Sequence, residues 1–280
     1  MIAATVNTDL YGSAIRGSLD GLSNSVLISD GSTVEGSVFG ARAQDSNLIS
    51  NTVTINDSQV AVRRSEAIYG AYTDQGDVTG NIIDISNSTI EKTGDYPDFS
   101  YVIGGSTGTG DANANTITIR NSKVLRNADE CEAIIGGVSV DQGNAFDNTV
   151  SIIDSEIVGN IVGEQSWTDS ANGNTVEIEN SSVVGDIYGG YGYFDTADGN
   201  FVTIRDEKEA VYGQVSGAWA FQSASGNVVS IDINGTVQAI TGGSAYHRAD
   251  SNQVFLRGNT HSLEVTGGIS TGYDSTDSAK

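Results

Sequence analysis

Hydrophobic and polar positions alternate with period two in short stretches that open on asparagine, as in Asn174-Thr-Val176-Glu-Ile178. These stretches start at Asn24, Asn51, Asn81, Asn115, Asn148, Asn174, Asn200, Asn227 and Asn252, a spacing of 25 to 34 residues. Such alternation predicts a strand with one buried face, and no segment sustains an apolar period of 3.6. A second element recurs at the same pace: an aliphatic residue, one variable residue and a glycine, as in Val38-Phe39-Gly40, Ile68-Tyr69-Gly70 and Ile187-Tyr188-Gly189. Self-similarity at this period predicts stacked copies of one coil, because a unit this small cannot bury its apolar edge alone. The clearest coil, which opens at Asn174, reads as three short strands and three corners. The expected fold is therefore all-β, a right-handed parallel β-helix (β-solenoid) of about nine to ten three-stranded coils, its hand following the general crossover rule. At ~4.8 Å per coil the rod would be roughly 45 Å long.

The asparagine that opens each first strand shares the inward parity of the Val and Ile after it. A buried amide needs partners, so a column of asparagines is expected to hydrogen-bond along the stack and to turn backbone. The recurring glycines are expected at corners, for close backbone approach or positive φ, and not as phosphate loops. Neither end reads as a polar cap. Residues 6–12 match the second half of a coil, and residues 276–279 match 168–171, which precede the next first strand. The whole of 1–280 is thus expected to be a single solenoid segment excised from a longer rod, with exposed strand edges able to self-associate.

Charge narrows the partners. With 13 basic against 36 acidic residues the net charge is −23, which repels phosphate backbones and anionic lipid surfaces, so neither nucleic acid nor direct membrane insertion of this segment is expected. Cys131 stands alone, which removes an internal disulfide and a multi-cysteine zinc site. His247 and His261 are the only histidines and make a weak metal pair, so no metal and no cofactor is expected. Some of the 36 acids must lie close by chance, and no Asp/Lys/Arg cluster stands out from the repeats, so no catalytic residue is assigned.

The Gly-Asn-x-Val-x-Ile repeat, followed by Val-x-Gly-x-Ile-Tyr-Gly-Gly, is densest at Gly173 to Ile178 and Asp186 to Gly190. It resembles the passenger domains of bacterial autotransporters, the type V secreted adhesins of Gram-negative bacteria. The resemblance implies a cysteine-poor, acidic β-helical rod, exported through an outer-membrane β-barrel and displayed at the cell surface. It also implies a role in adhesion or aggregation, with a host or bacterial surface protein or a glycan as partner. The alternative is a polysaccharide-acting enzyme or a phage-type glycan-binding β-helix.

Three features are candidates for binding. The variable residue of the aliphatic-x-Gly element is expected to point outward, giving a ladder that includes Tyr11, Phe39, Tyr69 and Tyr188. Such a stripe suits a partner or stacked sugar rings, although aromatics on a pleated surface also stack for stability alone. A second aromatic set after the glycine corner, including Trp167 and Trp219, is expected on loops. Insertions at 61–67, 91–101 and 125–133 fall at one corner of consecutive coils, where they are expected to form a single protrusion. That protrusion would present Arg63, Arg64, Lys92, Tyr96, Phe99, Tyr101 and Arg126, with Arg120 and Lys123 beside them. Tolerated surface variation is the alternative there.

Overall fold

The computed structural model describes residues 4–63, 67–93, 101–125 and 132–270. Among them the chain is entirely strand, turn and bend, and all the strand pairings are parallel. The result is a β-solenoid of about nine turns. In the coil that opens at Asn51, Thr52–Asn56 forms the first face, Gln59–Arg63 the second and Ile68–Gln75 the third, and Val78–Thr79 leads to the next asparagine. Register is one coil to the next: Val53, Ile83, Ile117, Val150, Val176, Val202 and Val229 form one inward column. All seven are fully buried. Each such aliphatic side chain contributes about 1.5–3 kcal/mol by leaving water.

The corner residues explain where the strands break. Asp57, Asn87, Asn121, Asp154 and Asn180 end the first strand with φ between 47° and 49°. This left-handed conformation is one that Asx side chains tolerate better than most. The serine that follows each of them builds its own ladder: its hydroxyl donates to the carbonyl two residues back and accepts the backbone N–H of the preceding coil's serine, as in Ser58 to Ser88 and Ser88 to Ser122, both at 3.0 Å. The expectation of three short strands per coil fails after residue 200, where that Asx-Ser turn is missing. There Phe201–Ala220, Val228–Thr241 and Gln253–Thr266 each run as one long strand round the corner. Tyr212 closes the serine column, its buried hydroxyl donating to the Ser181 carbonyl at 2.8 Å.

The asparagine column behaves as the repeat requires. In Asn148 the amide oxygen accepts both the backbone N–H and the side-chain amide of Asn115, each at 3.0 Å. Its amide nitrogen donates to the Ala112 carbonyl at 2.8 Å and to the Asn174 oxygen at 3.2 Å. Both donors and both acceptor sites of the amide are therefore used inside a buried corner. The glycine of the aliphatic-x-Gly element sits beside this column. A Cβ on Gly70, Gly104, Gly136 or Gly163 would collide with the carbonyl oxygen of the equivalent glycine one coil on. The clash is with backbone, so no side-chain rearrangement relieves it.

One coil departs from the pattern. The inward residue after that glycine is Ser13, Ala41, Ala71, Gly105, Gly137, Gly190, Ala218, Gly243 or Gly268, but in one coil it is Glu164, fully buried. Gly137 and Gly190 flank it in the stack, and a Cβ on either would collide with the amide of a ladder asparagine, Asn148 or Asn200. Asn174 donates to Glu164 Oε2 at 2.7 Å, in the place where the other ladder asparagines bond a carbonyl. Glu164 Oε1 has no hydrogen-bond partner among the described residues. Burial pushes this carboxyl well above its ordinary value, against the smaller lowering by the Asn174 bond.

Two stability predictions follow from these corners. Asn148→Ala strands a backbone N–H, an amide and a carbonyl in the core and should cost about 3–5 kcal/mol in chemical denaturation, whereas Val184→Ala on the exposed face should stay within about 0.5 kcal/mol. Equal losses would contradict the ladder. For Glu164, the folded-state value lies above the unfolded one, so its contribution is fully present below the ordinary carboxylate range and is lost as pH rises toward the folded value. The stability advantage of Glu164→Gln over the parent should accordingly be small at pH 4 and grow as pH rises. A difference that shrinks with rising pH would show the carboxyl to be ionised in the fold.

Candidate binding trough

The third face bends at its glycine, and on either side of the bend stands an outward row. One row pairs Phe39, Tyr69, Ile103, Ile135, Val162 and Tyr188 from coil to coil. The other, three residues later, pairs Arg42, Tyr72, Ser106, Val138, Gln165 and Tyr191. The two rows face each other across a trough of about 830 Å³. Ile103, Ile135, Val138 and Val162 are buried and form its floor; Val140 and Trp167 are exposed at its rim.

Aromatic blocks close both ends. At the near end Tyr11, Phe39 and Tyr69 stack face to face, with ring centroids 5.0 Å apart and planes within 3°. Tyr72 meets Phe39 and Tyr69 edge-on, and the Arg42 guanidinium lies 5.2 Å from the Phe39 ring and 5.4 Å from that of Tyr72. At the far end Tyr191 stacks on Trp219 at 4.8 Å and Trp167 on Tyr193 at 5.0 Å. From the Tyr72 coil to the Tyr191 coil is four strand spacings, ~19 Å. The middle three coils carry no aromatic residue in either row, Ile103, Ile135 and Val162 in one and Ser106, Val138 and Gln165 in the other, which opens the space between the blocks.

The tyrosines at the near end are held neutral. Burial, with Tyr72 nearby, pushes the Tyr69 hydroxyl up to about 12 despite the opposing Arg42 charge. Burial and then the hydrogen bond to Asp74 raise Tyr72, and burial and then the bond to Asp9 raise Tyr11. Tyr11 and Tyr72 donate to those carboxylates at 3.0 Å each. Neither Asp9 nor Asp74 lines the trough.

The expected ladder is thus present, with a correction to its exposure. It stands outside the main core, but only Tyr11 is open to solvent, at 39%; Phe39 is 5% exposed because Tyr11 and Tyr69 sandwich it. Tyr69 and Tyr188 are half-buried. The second aromatic set is corrected as well. Tyr72, Tyr191 and Trp219 belong to the third-face strands and not to loops, while Trp167 follows the short strand Gln165–Ser166 and is 42% exposed. The two sets, separate in the sequence, line one site.

The corner with the insertions looks different from its sequence. Backbone bonds from Ile68 to Tyr101 and from Tyr101 to Ala133 align the ends of the three insertions in one column. Lys92 and Tyr101 do not project from it, however: they are 4% and 1% exposed. Lys92 is in register with the buried Val62 and so points inward, its ammonium 4.8 Å from the centre of the Tyr101 ring. Arg120 pairs with Asp84 and Lys123 with Glu156, so neither adds free positive charge to the corner. Arg63 ends a second-face strand, with its side chain outside the described residues, as are Arg64, Tyr96, Phe99 and Arg126 altogether. Among the described residues no group of three or more His, Cys, Asp or Glu is placed to hold a metal ion.

Set against known proteins, the chain matches no family model and no curated sequence.

Proposed function

We propose that this chain is an adhesive rod of the autotransporter-passenger type, displayed outside a Gram-negative cell, and that it binds a surface protein or glycan through the aromatic-walled trough. The observation that carries this reading is the trough itself. A solenoid can bury its aliphatic columns without any concave outer surface, yet here two outward rows enclose about 830 Å³ between aromatic blocks. Exposed rings beside Ser106, Asn160, Gln165 and Arg42 combine apolar faces with a few polar groups, the composition of a recognition site. The parallel solenoid, the acidic charge and the lone cysteine agree with an exported rod. Cleavage of a polysaccharide draws no support from this place, because no carboxylate lines the trough among the described residues.

Adhesion is tested by coating beads with the 280-residue chain and counting their retention on bacterial and epithelial cell layers. Trp167→Ala combined with Tyr191→Ala should leave the melting temperature within a few degrees and remove most of the retention. Retention at the parent level in that variant would take the trough out of the reading, and a parent chain that no surface retains would overturn adhesion itself.

A further inference from the structure

Among the described residues Arg42 is the one charged residue that lines the trough, on a chain of net charge −23. The residue is exposed; its guanidinium lies against the Phe39 and Tyr72 rings and also hydrogen-bonds with the Tyr11 side chain. No carboxylate pairs with it among the described residues, although exposed Arg120 and Arg248 both have such partners. A guanidinium fixed by two rings keeps its planar fork in one orientation, suited to a bidentate anion. The acids elsewhere on the rod act weakly here, since at physiological ionic strength charges beyond ~8 Å are largely screened. The nearest such carboxylates, Asp9 and Asp74, are engaged by the Tyr11 and Tyr72 hydroxyls and do not line the trough, so the charge on the lining itself, among the described residues, is the positive charge of Arg42 at one end.

The remaining lining is neutral and graded along the rod. Beyond Arg42 and Tyr72 come Ser106, then Val138, then Gln165 with Asn160, then the Trp167, Tyr188, Tyr191 and Tyr193 block. The Asn160 amide oxygen accepts the Asp186 backbone N–H at 2.8 Å, and its amide nitrogen has no partner among the described residues. Aromatic faces take the apolar side of a pyranose ring, while amide and hydroxyl groups take its hydroxyls. A protein strand is a poorer fit, because the trough walls are side-chain rows and offer no free backbone ladder.

From this arrangement, and resting on the adhesive reading above, we infer that the trough binds a short oligosaccharide ending in a carboxylate-bearing sugar. The carboxylate lies on Arg42, and the neutral rings run along the rod axis toward the Trp167 and Tyr191 platform. The ~19 Å between the two ends sets the length of the segment that is read. A terminal sialate and a terminal uronate share this chemistry.

The test is titration of the whole chain with sialyllactose, with a trisaccharide ending in glucuronate, and with lactose, followed by calorimetry and by the fluorescence of its two tryptophans, of which Trp167 lines the site. At least one acidic sugar should bind about tenfold more tightly than lactose, the usual worth of a charge-assisted hydrogen bond, and which of them binds tells sialate from uronate. Arg42→Gln should erase the preference for the acidic sugar, Arg42→Lys should restore part of it, and Trp167→Ala should weaken binding of every sugar that binds. Circular dichroism checks that each variant keeps its fold. Lactose binding as tightly as the acidic sugars, or a preference that survives Arg42→Gln, would overturn the inference. Absence of all saccharide binding would overturn it too, while retention on cells that still depends on Trp167 and Tyr191 would leave the adhesive reading standing.

Discussion

The approach of one coil to the next, at the spacing of a parallel sheet, is the constraint on which everything else in this molecule depends. It is enforced at one corner by two columns that require each other. The asparagines hand a pair of hydrogen bonds from coil to coil, as in Asn51 to Asn81 at 3.0 and 2.9 Å. The glycines beside them bring backbone so close to the next carbonyl that a Cβ has no room. Neither column works alone: the amides need the short spacing to reach, and the spacing needs glycine. The apex next to them is filled with alanines, Ala171, Ala197, Ala218, Ala220, Ala224 and Ala245, for the same reason of space.

Part of the acidic charge has a place in this scheme. Asp77 accepts the Asp111 backbone N–H, Asp111 that of Asn144, Asp186 that of Gln214 and Asp198 that of Ser225, at 2.6 to 3.0 Å. Each carboxylate satisfies a turn donor of the following coil, which parallel strands leave unpaired at their ends. An acidic rod is then partly a consequence of stacking corners in this way, and the net charge says less about partners than the residues that line a particular surface. That is why the guanidinium of Arg42, which lies against Phe39 and Tyr72 and is the one charged group on the lining among the described residues, weighs more in the trough than the total of −23.

The trough arises from the same glycine column. Where the third face bends, residues three apart on one strand, such as Tyr69 and Tyr72, both face outward and stand on opposite walls. Large rings at the ends and Ile103, Ile135 and Val162 between them turn a uniform groove into a bounded site. The stacked Tyr11, Phe39 and Tyr69 also stabilise the rod, so self-stacking and recognition are two uses of one ladder.

The sequence by itself determined the solenoid, its inward columns and the structural role of the asparagines. Translation by one coil brings each residue onto its own counterpart, so periodicity alone names those neighbours. It does not fix the angle between faces within a coil, and that angle decided the rest. Only the bend at glycine joined the Tyr69 row to the Tyr72 row and made a site of two sets that the sequence kept apart. Only the register of Lys92 with Val62 turned an expected surface cation inward onto Tyr101. Glu164 was legible in principle, as the one acid in a column of Ser, Ala and Gly, but its position was recognisable as inward only once the fold fixed which residue after Gly163 faces the core. The loss of the Asx-Ser turn after Arg205 was visible as a missing motif. That the strand would then continue unbroken round the corner depended on coil-to-coil pairing, which no single repeat contains.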